Sequence, residues 1–149
     1  SFHRVMDDKN KSINDKDVKR LVICSGKVFY DLFEAREKNK LFNIKILRLE
    51  QIYPFPIKSL QEFISKTPQA EIIWCQEEPE NMGSWSFIDR RLEKVLIDCN
   101  CKYKRPVYVG RPEAASPATG TMSRHLKEQK LLVNQALGLE KINTASAAE

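Results

Sequence analysis

Glu77 and Glu78 stand side by side after an apolar run that ends at Gln76. Paired carboxylates in such a place could divide the work of a general acid and a general base. They could equally favour a helix N-terminus, where the dipole welcomes anions. The segment Gln76-Glu77-Glu78-Pro79-Glu80-Asn81-Met82-Gly83-Ser84-Trp85 holds no histidine to complete an acid–base set. Gly83, in the first turn of a predicted helix, carries no side chain and lets another group approach closely. Trp85 offers a large anchor. Glu77, Glu78, Asn81, Gly83 and Trp85 therefore read as a packing or subunit contact, not as a catalytic set.

A second constellation is Gly110-Arg111-Pro112-Glu113-Ala114-Ala115-Ser116-Pro117-Ala118-Thr119-Gly120, a loop of small residues with one arginine at its mouth. A guanidinium there could clamp a carboxylate or a phosphate, which makes Arg111 and Ser116 the candidates for a regulatory ligand. A salt bridge from Arg111 to Glu77 or Glu78 is the plainer alternative. His125, on the last predicted helix, and His3 read as structural residues, since a lone histidine is seldom a base. The glycines, at 26, 83, 110, 120 and 138, are too scattered for a phosphate loop or a dinucleotide fingerprint. Cys24, Cys75, Cys99 and Cys101 have only two histidines for company and read as reduced structural thiols. No catalytic, cofactor-binding or metal-binding residue is expected in this chain.

Positioning these groups falls to alternating strands and helices. Strands are predicted over 18–24, 44–49, 71–76 and 106–110, with a short one possible over 2–5. Helices are predicted over 27–40, 57–66, 82–97 and 123–137. Val28, Leu32 and Ala35 face inward on the first, and Ile57, Leu60 and Ile64 on the second. Trp85, Ile88, Leu92, Val95 and Leu96 form the stripe of the third. Ser123 is expected to cap the fourth and Gly138 to end it. Tyr53-Pro54-Phe55-Pro56 breaks any regular pairing. This order implies an α/β fold with a mostly parallel sheet covered by helices on both faces. Ligands and partners of such sheets meet the carboxyl ends of the strands. Residues 1–17 read as a linker or arm, 18–138 as the domain, and 139–149 as a disordered tail.

Composition bounds the partners. The chain has 149 residues and a net charge of +5, with 42% hydrophobic and 30% charged residues. That suits one core. Basic residues alternate with acids, as in Glu34-Ala35-Arg36-Glu37-Lys38, and no aromatic-studded basic stretch suggests nucleic acid. No window approaches the roughly 18–20 consecutive apolar residues of a membrane span. The opening residues show neither a basic leader nor an apolar run and read as a cut inside a longer chain.

Four blocks stand in order: Val18-Lys19-Arg20-Leu21-Val22-Ile23-Cys24-Ser25-Gly26-Lys27-Val28; Glu50-Gln51-Ile52-Tyr53-Pro54-Phe55-Pro56; Trp74-Cys75-Gln76-Glu77-Glu78-Pro79-Glu80-Asn81-Met82-Gly83-Ser84-Trp85; and Gly110-Arg111-Pro112 with Ser116-Pro117-Ala118-Thr119-Gly120. Together, over roughly residues 1–137, they resemble the C-terminal domain of the thiamine-dependent first component of 2-oxoglutarate dehydrogenase complexes. The resemblance implies a three-layer α/β/α domain of the transketolase C-terminal type, its sheet of about five strands mostly parallel with one antiparallel edge. It implies a parent chain that uses thiamine diphosphate and Mg²⁺, forms a homodimer and succinylates the lipoyl group of dihydrolipoyl succinyltransferase. The cofactor would lie in upstream domains, because the Gly-Asp-Gly metal signature is absent here. The isolated fragment is then expected to be inactive, with no nucleic acid or membrane among its partners. Some members of the family respond to nucleotides such as acetyl-CoA or AMP, which keeps a regulatory reading open. The 2-oxoadipate dehydrogenases resemble the chain in the same blocks. The compartment implied is bacterial cytoplasm or mitochondrial matrix.

Overall fold

Alternation of side chains along the strands decides the architecture. Leu21, Ile23, Leu47, Leu49, Ile72 and Trp74 project to one face of a sheet. Val22, Cys24, Ile44, Ile46, Ile73 and Cys75 project to the other. Both faces are apolar, so both need a helical cover. The computed structural model of the protein describes residues 4–111 and 122–142. Its strands are β1 (Val5–Met6), β2 (Arg20–Ser25), β3 (Ile44–Leu49), β4 (Glu71–Pro79) and β5 (Val107–Arg111). Its helices are α1 (Val28–Lys38), α2 (Ile57–Ile64), α3 (Trp85–Asp98) and α4 (Met122–Ala136), with a 3-10 turn at Asp15–Asp17.

The sheet order is β1-β3-β2-β4-β5. Pairs among β2, β3, β4 and β5 are parallel, and β1 runs antiparallel to β3 at one edge, with Val5 opposite Leu49. Helices α2 and α3 cover one face through Leu60, Ile64, Ile88, Leu92, Val95 and Leu96. Helices α1 and α4 cover the other through Val28, Phe29, Leu32, Leu132, Val133 and Ala136. The three-layer α/β/α expectation holds, including the antiparallel edge.

The segment before β2 is bound to this frame by a buried ion pair. Arg36 is fully buried on α1 and its Nη1 and Nη2 donate to Asp8 at 2.7 and 2.6 Å. Arg36 Nη1 also donates to the Ile44 carbonyl at 2.7 Å, and Nε to Glu37 at 2.9 Å. Asp8 Oδ2 accepts the Ile46 N–H at 2.7 Å. Where β1 stops, the carboxylate thus replaces a strand partner for β3. Every charge in the pair has a fixed counterpart, which is the condition under which a buried pair persists.

Three helices end alike. Lys40, Asn100 and Gly138 adopt φ of 53°, 54° and 76° after α1, α3 and α4. In each case the next N–H reaches back to a helical carbonyl: Leu41 to Arg36, Cys101 to Leu96 and Leu139 to Asn134. This is the left-handed termination that satisfies orphan carbonyls. Arg20 adds a cap to α4 by donating to the Gln135 and Ala136 carbonyls at 3.0 and 3.1 Å.

Several expected limits move. Ile57 is 48% exposed, because it opens α2 on the outer side of the turn and only Leu60 and Ile64 reach the core. β4 continues past Gln76 to Pro79, carried across a register shift by its pairing with Arg111. α3 starts at Trp85, so Gly83 precedes the helix with φ of +69° instead of lying in its first turn. α4 starts at Met122, which puts Ser123 inside the helix and not at its cap. Residues 143–149 and His3 lie outside the described residues, while Leu137 and Ile142 pack on the core.

Two consequences can be measured. Asp8→Ala strands the Arg36 charge and is expected to cost about 3–5 kcal/mol in guanidinium unfolding. Asp8→Leu with Arg36→Met should recover most of that loss; a cost below about 1 kcal/mol for Asp8→Ala would refute the role of the pair. The second concerns Cys24 and Cys75, opposite each other on β2 and β4 and both buried. Burial pushes the Cys24 thiol up to about 12 and raises that of Cys75 well above its ordinary value. A raised native pKa contributes stability that is complete below the unfolded value near 9 and lost as pH climbs from there. Between pH 9 and 11 the unfolding free energy should therefore fall more steeply, by up to about 1.4 kcal/mol per pH unit per thiol, than in the Cys24→Ala/Cys75→Ala protein. Equal slopes would contradict it.

Candidate functional site

The carboxyl end of β4 and the segment that leads to α3 gather around one amide. Gln76, on β4, is 3% exposed. Its Oε1 accepts the Trp74 Nε1–H at 2.9 Å and the Trp85 backbone N–H at 3.1 Å. Its Nε2 faces the carbonyls of Glu78, Pro79 and Met82 at 3.2, 3.0 and 2.8 Å. Two donors on one side and three acceptors on the other fix the orientation of the amide. This side chain holds the 77–85 segment in a single shape, and Gly83 is part of that shape. A Cβ at Gly83 would sit 3.1 Å from Glu78 Cβ and 3.2 Å from Gln76 Nε2.

β5 locks the same segment from the side. The Tyr108 hydroxyl lies 2.9 Å from the Glu78 carbonyl and 2.8 Å from that of Arg111, donating its one proton to either. Burial, helped by nearby Glu80, raises the phenol above its ordinary range. The Tyr108 ring packs against Trp85 with centroids 5.6 Å apart. Gly110 has no room for a side chain, since a Cβ would meet the Gln76 carbonyl at 2.6 Å.

The paired acids separate. Glu77 turns to Lys27 at the start of α1, at 2.9 Å, and that contact raises the Lys27 ammonium. Glu78 and Asn81 are exposed, as is Gly83. Trp85 is 8% exposed and anchors α3 within the domain. Arg111 is drawn inward: Nη1 donates to the Glu77 carbonyl at 2.6 Å, Nη2 to Gln129 at 3.1 Å, and Nε lies 3.5 Å from Glu128. His125 Nδ1 is 3.3 Å from Arg111 Nη2. Arginine only donates, so this contact requires His125 to be unprotonated at Nδ1. Gln129 continues the chain to Asp31 on α1 at 2.8 Å. Arg111 thus pairs with an acid from α4, not with the side chains of Glu77 or Glu78. A carboxylate or phosphate at Arg111 would have to displace these partners. Ser116 lies outside the described residues.

Sequence reasoning missed Gln76. A polar residue at an inward-facing position, two after Trp74, is the one signal that could have found it. Among the described residues no group of three or more His, Cys, Asp or Glu could hold a metal ion, and no helix is long and apolar enough to cross a membrane. Gln76→Leu leaves two buried donors, the Trp74 indole N–H and the Trp85 N–H, and the Met82 carbonyl without the partner they have here, while the Glu78 and Pro79 carbonyls keep the Tyr108 hydroxyl and the Met82 N–H. It should cost about 3 kcal/mol, at 1–3 kcal/mol per stranded group with partial relaxation. Gly83→Ala should loosen the same segment. Hydrogen exchange of the Trp85 N–H reads both, and unchanged protection in Gln76→Leu would refute the role given to the amide.

A family described as 2-oxoglutarate dehydrogenase C-terminal matches residues 1–137. The chain is 51% identical over 146 residues to a Brucella abortus protein named 2-oxoglutarate dehydrogenase E1 component, covering 93% of this chain and 14% of that protein. A Brucella anthropi protein of the same name is 49% identical over 146 residues, with 93% and 15% covered. The chain thus spans about a seventh of the length of these curated relatives. A match across nearly the whole chain, running through the segment that Gln76 and Tyr108 organise, places it: the protein belongs to the 2-oxoglutarate dehydrogenase C-terminal family.

Proposed function

We propose that the chain is the C-terminal structural part of a 2-oxoglutarate dehydrogenase (succinyl-transferring) first component. The longer polypeptide decarboxylates 2-oxoglutarate with thiamine diphosphate and Mg²⁺ and hands the succinyl unit to the lipoyl group of dihydrolipoyl succinyltransferase. The observation that carries this reading is the 51% identity, over 93% of the chain, to a protein named for that component. The same name favours 2-oxoglutarate over 2-oxoadipate.

The chain's own part is positional. Gln76, Tyr108 and Gly110 hold the 77–85 segment rigid, so that exposed Glu78, Asn81 and Gly83 present a fixed surface to the homodimer partner or to upstream domains. The described residues contain no set fit to bind Mg²⁺, so no step through the metal or thiamine diphosphate is assigned to them. A protein of this kind works in the compartment of its complex, the cytoplasm in a bacterium.

The test compares the long polypeptide and this chain side by side on 2-oxoglutarate, 2-oxoadipate and pyruvate. Turnover by the long polypeptide alone, greatest on 2-oxoglutarate and dependent on thiamine diphosphate and Mg²⁺, is the expected result. Turnover by this chain itself, or preference for another keto acid, overturns the reading.

A further inference from the structure

β1 runs against its neighbour, so its first residues lie where the parallel strands end. The Arg4 carbonyl accepts the N–H groups of Glu50 and Gln51 at 2.9 and 3.4 Å. Gln51 Nε2 in turn donates to the Pro54 carbonyl at 3.0 Å. Beside them stands Tyr53, 80% exposed. Its ring leans edge-on against Phe87, with centroids 5.7 Å apart, and Phe55 supports Phe87 from 6.4 Å. The Arg91 guanidinium lies 3.8 Å from the Phe87 ring centroid, and its Nη1 donates to the Phe87 carbonyl at 2.7 Å. Ile52 and Phe55 root this platform in the core below. A tyrosine and an arginine held on a rigid apolar base are the residue types that dominate interface energetics, and exposed aromatic surface of this kind marks a contact.

We propose that the Tyr53–Phe87–Arg91 platform is the docking face for the part of the same polypeptide that precedes Arg4. The proposal rests on the reading of this chain as the C-terminal portion of a longer first component. Two observations select this occupant. The relatives are about seven times as long as the match, and the family is described as C-terminal, so such a polypeptide has a long stretch ahead of Arg4. The polypeptide also arrives at Arg4 directly beside the platform, hydrogen-bonded to Gln51. A structured segment tethered there meets the platform at an effective concentration on the order of millimolar, which a separate molecule cannot match at ordinary dilution. The occupant's contacting surface should bring an apolar group to Tyr53 and a carboxylate or carbonyl to the free N–H groups of Arg91.

Photo-crosslinking in the long polypeptide tests this. Tyr53→p-benzoylphenylalanine should cross-link to residues upstream of Arg4 in the same chain, at least fivefold more than Tyr103→p-benzoylphenylalanine, which lies at the opposite end of the sheet. Adducts mainly to a second copy, adducts to another protein, or equal yields at the two positions would overturn it. The unsubstituted long polypeptide provides a second measurement. By exposure in this chain, Tyr53 at 80% should be nitrated faster by tetranitromethane than Tyr30 at 56% or Tyr103 at 42%. Docking reverses that order, making Tyr53 at least tenfold slower than Tyr103; an order that follows exposure counts against docking. Keto-acid turnover is read on the same samples. Turnover without the cross-link removes the docking face and spares the enzyme assignment, whereas the cross-link without turnover does the opposite.

Discussion

One carboxamide, that of Gln76, arranges the carboxyl end of β4 and the turn into α3. Its oxygen holds the indole N–H of Trp74 and the first backbone N–H of α3, and its nitrogen gathers three carbonyls from the turn between. An amide group has two hydrogens for those three acceptors, so one hydrogen is shared, and the turn is held as a unit. Because the group is buried, removing it strands the Trp74 indole N–H, the Trp85 N–H and the Met82 carbonyl where no water replaces it. The exposed positions of the loop inherit their geometry from this buried group.

Much of the fold was legible because a parallel sheet buried on both faces writes itself as short apolar runs. β3 falls at the expected Ile44–Leu49, and the stripe of Trp85, Ile88, Leu92, Val95 and Leu96 is buried throughout. What escaped lies where polar residues carry the structure. Asp8 sits in a stretch of Asp, Lys and Asn with no period to read, yet it meets a fully buried Arg36 that looks, in Glu34-Ala35-Arg36-Glu37-Lys38, like any surface arginine. The extension of β4 to Pro79 was hidden for a related reason: a register shift and a partner strand sustain it, not its own composition. For the site, the right segment was visible but its internal order was not. The expectation joined Arg111 to an acid on β4; the acid comes from α4, because Glu77 has already been taken by Lys27.

The buried ion pair and the amide cluster divide the labour of the two halves of the domain. Asp8 and Arg36 tie the incoming segment to α1 and β3, and Gln76 ties β4 to α3. Neither depends on the other for a hydrogen bond. The halves join along the β2–β4 pairing, and they touch again at the carboxyl edge, from Arg4 through Gln51 to Tyr53 and on to Phe87. A rigid edge assembled from both halves is a better footing for a neighbour than either half alone, since any relative motion between them would be felt there first.

The strand order also sets a timetable for synthesis. β1, β3 and β2 are contiguous in the sheet and all lie before residue 50, so three of its five strands, with the buried ion pair, are available as soon as Leu49 has left the ribosome. The remaining two attach through β4, whose Glu71–Cys75 pairs with the far edge of β2. While translation covers the intervening residues, that edge of β2 has no strand beside it, and Leu21 and Ile23 lack the cover that α3 later gives them. A nascent chain of this topology therefore passes through a defined interval with one open, apolar strand edge, the condition in which growing polypeptides pair with the wrong neighbour and in which chaperones engage them.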